Sequence, residues 1–155
     1  MRPEELVREY LSKRHVMQLA TADNDQPYVC SVYYVHDDKL NIYWASWPDR
    51  RHSQMIVKNN NVGVTIVVES DKSKPVCGIQ ILGQAELCEE SEAIRPIAEA
   101  YAMKFNRDAD WVEKFSQLKT KHRLYKLVPT SIDLFDEVNF KSNPQKVNFK
   151  LTITS

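Results

Sequence analysis

Val29-Cys30-Ser31-Val32-Tyr33-Tyr34 is followed, after Asp37-Asp38, by Leu40-Asn41-Ile42-Tyr43-Trp44-Ala45-Ser46. The chain then passes through Trp47-Pro48-Asp49 into Arg50-Arg51-His52-Ser53-Gln54-Met55-Ile56. The first two segments are rich in β-branched and aromatic residues and are separated by polar turn formers, which predicts a hairpin. The third opens a helix on a cationic cluster. The order is thus hairpin, hydroxyl at the end of its second strand (Ser46), short loop and helix start. A phosphate group at that point meets positive charge, a hydroxyl and the free N–H groups of a first helical turn.

Outward from this stretch the pattern stays mainly β. Pro3 to Arg14 reads as a helix, with Leu6, Val7, Tyr10 and Leu11 on one face and Pro3 in the first turn. Val16 to Thr21 reads as a strand closed by the turn-forming residues Asp23 to Pro27. With Tyr28 to His36 and Lys39 to Ala45 it would make an antiparallel three-stranded meander. Arg51 to Lys58 is a short helix stopped by Asn59-Asn60-Asn61, and Val62 to Val68 is a β-branched, buried strand. Gly78 to Leu87 is a further strand, whose internal Gly83 marks a bulge or barrel corner. Helices follow at Glu89 to Phe105 and Asp110 to Leu118, then strands at Arg123 to Val128, Ser131 to Phe135 and Val147 to Ile153. Short strands at hairpin spacing, about seven or eight of them, predict a barrel with peripheral helices rather than a doubly wound sheet.

The bulk numbers exclude several function classes. A chain of 155 residues is read as one domain, residues 1–155, whose core buries about 68–70% of the unfolded surface. Lys and Arg number 21, as do Asp and Glu, so the net charge is zero. That argues against nucleic acid or an anionic membrane as partner, since both are bound through clustered excess positive charge. The N-terminal residues have no apolar core or cleavage site of a signal peptide, and no run approaches the roughly 18 apolar residues of a membrane span. Cys30, Cys77 and Cys88 form no C-x-x-C pair, so reduced thiols in a cytoplasmic protein are expected rather than a zinc site or a disulfide framework. His15, His36 and His122 give no H-x-x-x-H pair, and no G-x-S-x-G elbow accompanies the serines.

Five segments in order resemble the FMN-binding split-barrel superfamily of pyridoxamine 5′-phosphate oxidase, and within it the YhbP-like branch. They are Leu19-Ala20-Thr21-Ala22, Pro27 to Val32, Arg51-His52-Ser53-Gln54-Met55, Gly78 to Glu86, and Tyr125 to Ile132. The resemblance implies an antiparallel split barrel of Greek-key type that forms a homodimer with FMN at the subunit interface. It implies that the backbone of Val29, Cys30, Ser31 and Val32 faces the flavin ring and ribityl chain. Ala45 and Ser46 match the strand end that touches the FMN phosphate, and Arg51 and His52 match the basic pair that grips it. His52 stands where that pair usually has Lys, a weaker and pH-dependent charge. Gln80 matches a strand that supplies a polar flavin contact. Tyr33, Tyr34, Tyr43, Trp44 and Trp47 read as core or dimer surface, with flavin stacking the alternative for one of them; Trp47, in the loop before Pro48, is the best candidate for exposure.

The C-terminal Lys146-Val147-Asn148-Phe149-Lys150-Leu151 lacks the Trp and Arg-Leu pattern with which the oxidase holds its B6 substrate. Vitamin B6 oxidation is therefore not expected, and no side chain is singled out as a catalytic acid or base. Phe140 and Phe149 are candidates for reaching the partner's flavin. The expected function is an FMN-dependent oxidoreductase of unidentified substrate. The alternatives on the same scaffold are a non-catalytic flavin binder, a barrel without cofactor, or a haem-binding protein.

Overall fold

A computed structural model describes residues 1–149. The elements are α1 (Pro3–Lys13), β1 (Val16–Asp23), β2 (Gln26–Tyr33), β3 (Val35–His36), β4 (Ile42–Ser46), α2 (Arg51–Lys58) and β5 (Asn61–Glu69). They continue as β6 (Cys77–Cys88), α3 (Ser91–Phe105), α4 (Ala109–Ser116), β7 (Arg123–Asp136), α5 (Glu137–Phe140) and β8 (Gln145–Lys146). The strands form one antiparallel sheet in the order β2-β1-β5-β6-β7-β4-β3, with β8 added to β7.

This order explains why the sheet curls. Its two edge strands, β2 and β3, are consecutive in the chain and separated by Tyr34 alone, so the edges must meet at that residue. Tyr34 is fully buried, and its hydroxyl donates to the Leu11 carbonyl at the end of α1 over 2.7 Å. β2 and β4 lie close together without pairing, which leaves the barrel split between them. The continuous strand expected over Tyr28 to His36 is therefore two, and the expected meander is present as two separate hairpins, β1–β2 and β3–β4. β4 pairs with β3 and with β7, from Ile42↔Leu127 to Ser46↔Arg123. The physical reason is the bend at Tyr34, which sends β3 across to the far edge of the sheet.

Other local expectations hold. The β1–β2 turn uses Asn24 and Asp25, both at positive φ (48° and 64°), as a two-residue hairpin loop requires. Gly83 lies at a register shift between β6 and β7, opposite Pro129, which has no N–H to offer. There β7 runs unbroken for 14 residues, so the two strands expected at Arg123 to Val128 and Ser131 to Phe135 are one bulged strand. The last strand expected, Val147 to Ile153, is not formed in its described part: β8 ends at Lys146, and Val147, just beyond it, donates to the Ile132 carbonyl over 2.8 Å, while residues 150–153 lie outside the described residues.

Leu19, Trp44, Ile66, Ile79, Ile81, Leu127 and Ile132 fill the barrel, closed at one end by Leu6 and Leu11 of α1. A second apolar cluster (Ile94, Ala98, Tyr101, Val112, Phe115, Leu124) packs α3 and α4 against β3, β4 and β7. Phe140 packs against the first cluster and Phe149 is buried in it, so both rings are occupied by their own protomer's core. No helix among the described residues is long and apolar enough to cross a membrane.

Candidate functional site

The end of β4 and the start of α2 converge because the loop between them is short. The Arg50 N–H closes a turn on the Trp47 carbonyl at 3.1 Å, and Gln54 N–H then makes the first helical bond to the Arg50 carbonyl at 3.0 Å. Arg50 occupies the N-cap and supplies no side-chain cap. The first-turn N–H groups, which have no intrahelical partner in any helix, therefore stay available, and the helix dipole adds to their positive field. Met55 and Ile56 are buried and anchor α2; the Thr21 hydroxyl donates to the Met55 sulfur at 3.4 Å.

In this first turn Ser46 and His52, both buried, meet through Ser46 Oγ and His52 Nε2 at 2.6 Å. Burial, with the nearby Arg50 guanidinium second, holds the His52 pKa below its ordinary value. The ring is thus neutral at neutral pH, and its tautomer decides which partner donates. Arg51, one residue earlier, is exposed and sits over the Tyr28 ring of β2, 4.7 Å from its centroid. Ser53 Oγ is buried without a hydrogen-bond partner among the described residues, an acceptor and donor left over in the same turn.

The residues singled out in the sequence fall into three groups. Ser31, Val32 and Ala45 line one hollow of about 480 Å³ at the split between β2 and β4, next in the chain to Ser46. Arg51 lines a smaller hollow of about 190 Å³ with Asp23, Gln26, Gln54 and Lys58. Val29 and Gln80 stand apart from both, on a shallow hollow of about 350 Å³ on the outer face of β1, β5 and β6. Along β2 the pleat turns Tyr28, Cys30 and Val32 inward and Val29, Ser31 and Tyr33 outward, and at its Tyr33 end residues of both faces line the hollow at the split. β2 pairs only with β1, so its other edge carries unpaired backbone groups toward the split.

Trp47 is half-buried between Arg50 (4.5 Å) and Lys121 (5.1 Å) and donates from Nε1 to His122 Nδ1 at 3.3 Å. Sequence reading missed three residues at this end of the barrel: Tyr28, Arg107 and His122. Tyr28 was legible as the aromatic residue in phase with Cys30 and Val32. Arg107 follows Asn106, whose left-handed conformation (φ 61°) ends α3, an Asn signal at a helix C-terminus. His122 had no local signal, because Trp47 lies 75 residues away. No group of three or more His, Cys, Asp or Glu that could hold a metal occurs among the described residues.

A family model described as pyridoxamine 5′-phosphate oxidase matches residues 3–136. The chain belongs to that family. Among curated proteins, the UPF0306 protein PM1958 of Pasteurella multocida is 21% identical over 87% of this chain and 89% of its own length. Among solved structures, a FAD-binding protein of Mesorhizobium loti superposes with a TM-score of 0.66 at 20% identity, covering 85% of this chain and 92% of that one. HutZ, described as the haem storage protein of Vibrio cholerae, superposes with a TM-score of 0.68 at 21% identity, covering 85% and 94%. At such identities the likeness establishes the family's split-barrel fold and leaves the ligand open.

Proposed function

We propose that this member of the pyridoxamine 5′-phosphate oxidase family is a homodimeric, cytoplasmic flavoprotein that binds FMN and oxidises or reduces a small organic substrate. The observation that carries the reading is the first turn of α2. An uncapped helix start stands next to the buried Ser46–His52 pair and the unpaired, buried Ser53 hydroxyl, and the exposed Arg51 guanidinium belongs to the same turn. A phosphate ester carrying about −1.5 to −2 charges satisfies these donors together. The residues present therefore fit the phosphate end of FMN. The three cysteines are all free thiols, in keeping with a reducing compartment.

In this reading Arg51 supplies the planar fork for two phosphate oxygens, and the α2 N–H groups supply donors that cost no reorganisation. Ser46 holds His52 in place and offers its hydroxyl. The free backbone edge of β2 from Val29 to Val32, with Ala45 across the split, orients the ring system and keeps water from one side. Gln80 and Val29 join the site from the outer face, where a second subunit would bring them beside its cofactor. The chemistry that FMN supplies when bound is hydride and electron transfer at the flavin ring.

The colour of the purified protein is the first test. Flavin absorbance with fluorescence released on denaturation supports the reading; a Soret band marks a haem protein instead, and a colourless protein that ignores added FMN marks a barrel without cofactor. Where FMN binds, Arg51→Ala is expected to weaken it by about 1.5–3 kcal/mol, the range for a charge-assisted hydrogen bond. Unchanged affinity would remove Arg51 from the phosphate site. Bleaching of the bound flavin by NADH or NADPH separates an oxidoreductase from a flavin carrier.

A further inference from the structure

Lys104, in the last turn of α3, is taken partly out of water without a countercharge. Its Nζ lies 4.0 Å from the centroid of the Tyr34 ring and 5.7 Å from that of Phe105. It donates over 3.3 Å to the Leu11 carbonyl at the end of α1, which already accepts from the Tyr34 hydroxyl over the shorter distance of 2.7 Å. Among the described residues Lys104 makes no ion pair. An ammonium carries three N–H donors; this one meets a single protein acceptor, and shares it.

The charged groups of the elements packed around it do not relieve this. Arg8 and Arg14 belong to α1 and its C-cap and are cations themselves, and Glu9 of α1 pairs with Lys13. His36 of β3 is held below its ordinary pKa by burial, then by Lys104 and Arg8, with Asp37 and Asp38 acting in the opposite sense. The Asp37 carboxylate is taken up by Asn41 and Tyr43, and the Asp38 carbonyl by Arg8. Burial accordingly pushes the Lys104 pKa down to about 8 from the ordinary 10.5. At pH 8 half of these amines are neutral, about a hundredfold more than for a lysine in water. Desolvation of this kind is what turns a lysine into a nucleophile.

We propose that Lys104 is a site of covalent acylation, its amine taking a short acyl group from an activated donor, an acyl phosphate or a thioester. The amine lone pair attacks the acyl carbonyl and the C–N bond forms as the C–O or C–S bond breaks. Phosphate or thiolate leaves with the electron pair, and the surplus amine proton passes to water. The side chain is half-buried rather than sealed, so a small donor reaches it. The product suits the place better than the ammonium does. Its amide N–H still has the Leu11 carbonyl to bond, its apolar acyl chain suits the Tyr34 and Phe105 rings, and no charge stays in an apolar setting. At Lys58 or Lys74 the same change would break an ion pair, with Asp23 or Glu69; at Lys104 there is none to break. The reaction involves no residue assigned to the flavin and stands with or without a bound cofactor.

The purified protein incubated at pH 8 with acetyl phosphate, or separately with acetyl-coenzyme A, tests this, the acetylation rate of each lysine being read by mass spectrometry of its peptides. With at least one donor Lys104 is expected to react roughly fivefold or more faster than the exposed Lys39 and Lys72. The two arms tell the donors apart: preference with acetyl phosphate alone assigns the site to acyl phosphates, and preference with acetyl-coenzyme A assigns it to thioesters. The Lys104 rate should level off above about pH 8. In urea that unfolds the chain the preference should vanish, and Lys104→Arg should remove one acetyl group while the other lysines react as in the parent. A Lys104 that reacts no faster than Lys39 and Lys72 with either donor overturns the proposal. So does a preference that survives in urea, because local sequence rather than burial beside Tyr34 would then set it.

Discussion

At the level of single residues, the chemistry turns on histidines kept neutral by their surroundings. His36, His52 and His122 are all held below the ordinary value of 6.5, in each case first by burial and then by nearby cations. Below pH 6.5 the unfolded chain takes up protons at these rings while the folded chain does not. Stability they support is therefore complete above 6.5 and lost as pH falls from there toward the lowered folded values. Urea unfolding between about pH 7.5 and 5.5 is expected to show a falling midpoint. His52→Gln, which keeps a polar group opposite Ser46, should make the fall shallower. An equally steep fall in that variant would show that His52 takes up its proton alike in the folded and unfolded chain.

Among the secondary-structure elements, the β6–β7 ladder is the tightest joint. A Cβ on Gly83 would stand 2.3 Å from the Val128 carbonyl oxygen and 3.0 Å from the Pro129 Cα, both backbone atoms that cannot swing aside. Gly83→Ala is expected to lower stability by about 1–3 kcal/mol, read as an earlier urea midpoint. A midpoint within error of the parent would mean the bulge yields at no cost. This joint was legible in the sequence because one glycine inside a strand pattern signals a bulge. The β1–β2 hairpin, α2 and the Ser46-to-His52 sequence were legible for the same reason: their determinants lie within a few residues of one another. The partner of β4 was not, because the choice between β2 and β7 is made by one buried residue, Tyr34. Its hydroxyl and the Lys104 amine both bind the Leu11 carbonyl, at 2.7 and 3.3 Å, joining α1 and α3 where the strand breaks. Arg107 and His122 escaped notice on the same ground, since the groups they converge with are brought together by the helical insertion between β6 and β7.

For the whole molecule, the open question is what covers the outer face of β2, β1, β5 and β6. Val29 is 62% exposed, Leu82 60% and Val67 51%, and the hollow between the first two is lined by Ala20 and Gly63 together with the polar Gln18, Thr65, Gln80 and Asp133. Isolated apolar residues on a surface need no explanation, but a row of them across four adjacent strands is the kind of patch that protein association buries. A chain with zero net charge offers little repulsion against such contact. A two-fold interface would place the same strands of both protomers face to face and set Gln80 of each beside the other's β2. A stable dimer of ordinary size buries about 1,200–2,000 Å² in total, and introducing one charge at its centre leaves two unpaired charges related by the axis. Leu82→Glu is therefore expected to convert a dimer to monomer in sedimentation velocity, with circular dichroism unchanged. If the flavin lies at that seam, its content should fall in step with the dimer fraction as protein is diluted. A variant that sediments as the parent does would place the interface elsewhere, and a monomer that keeps its full complement of flavin would confine the cofactor to a single protomer.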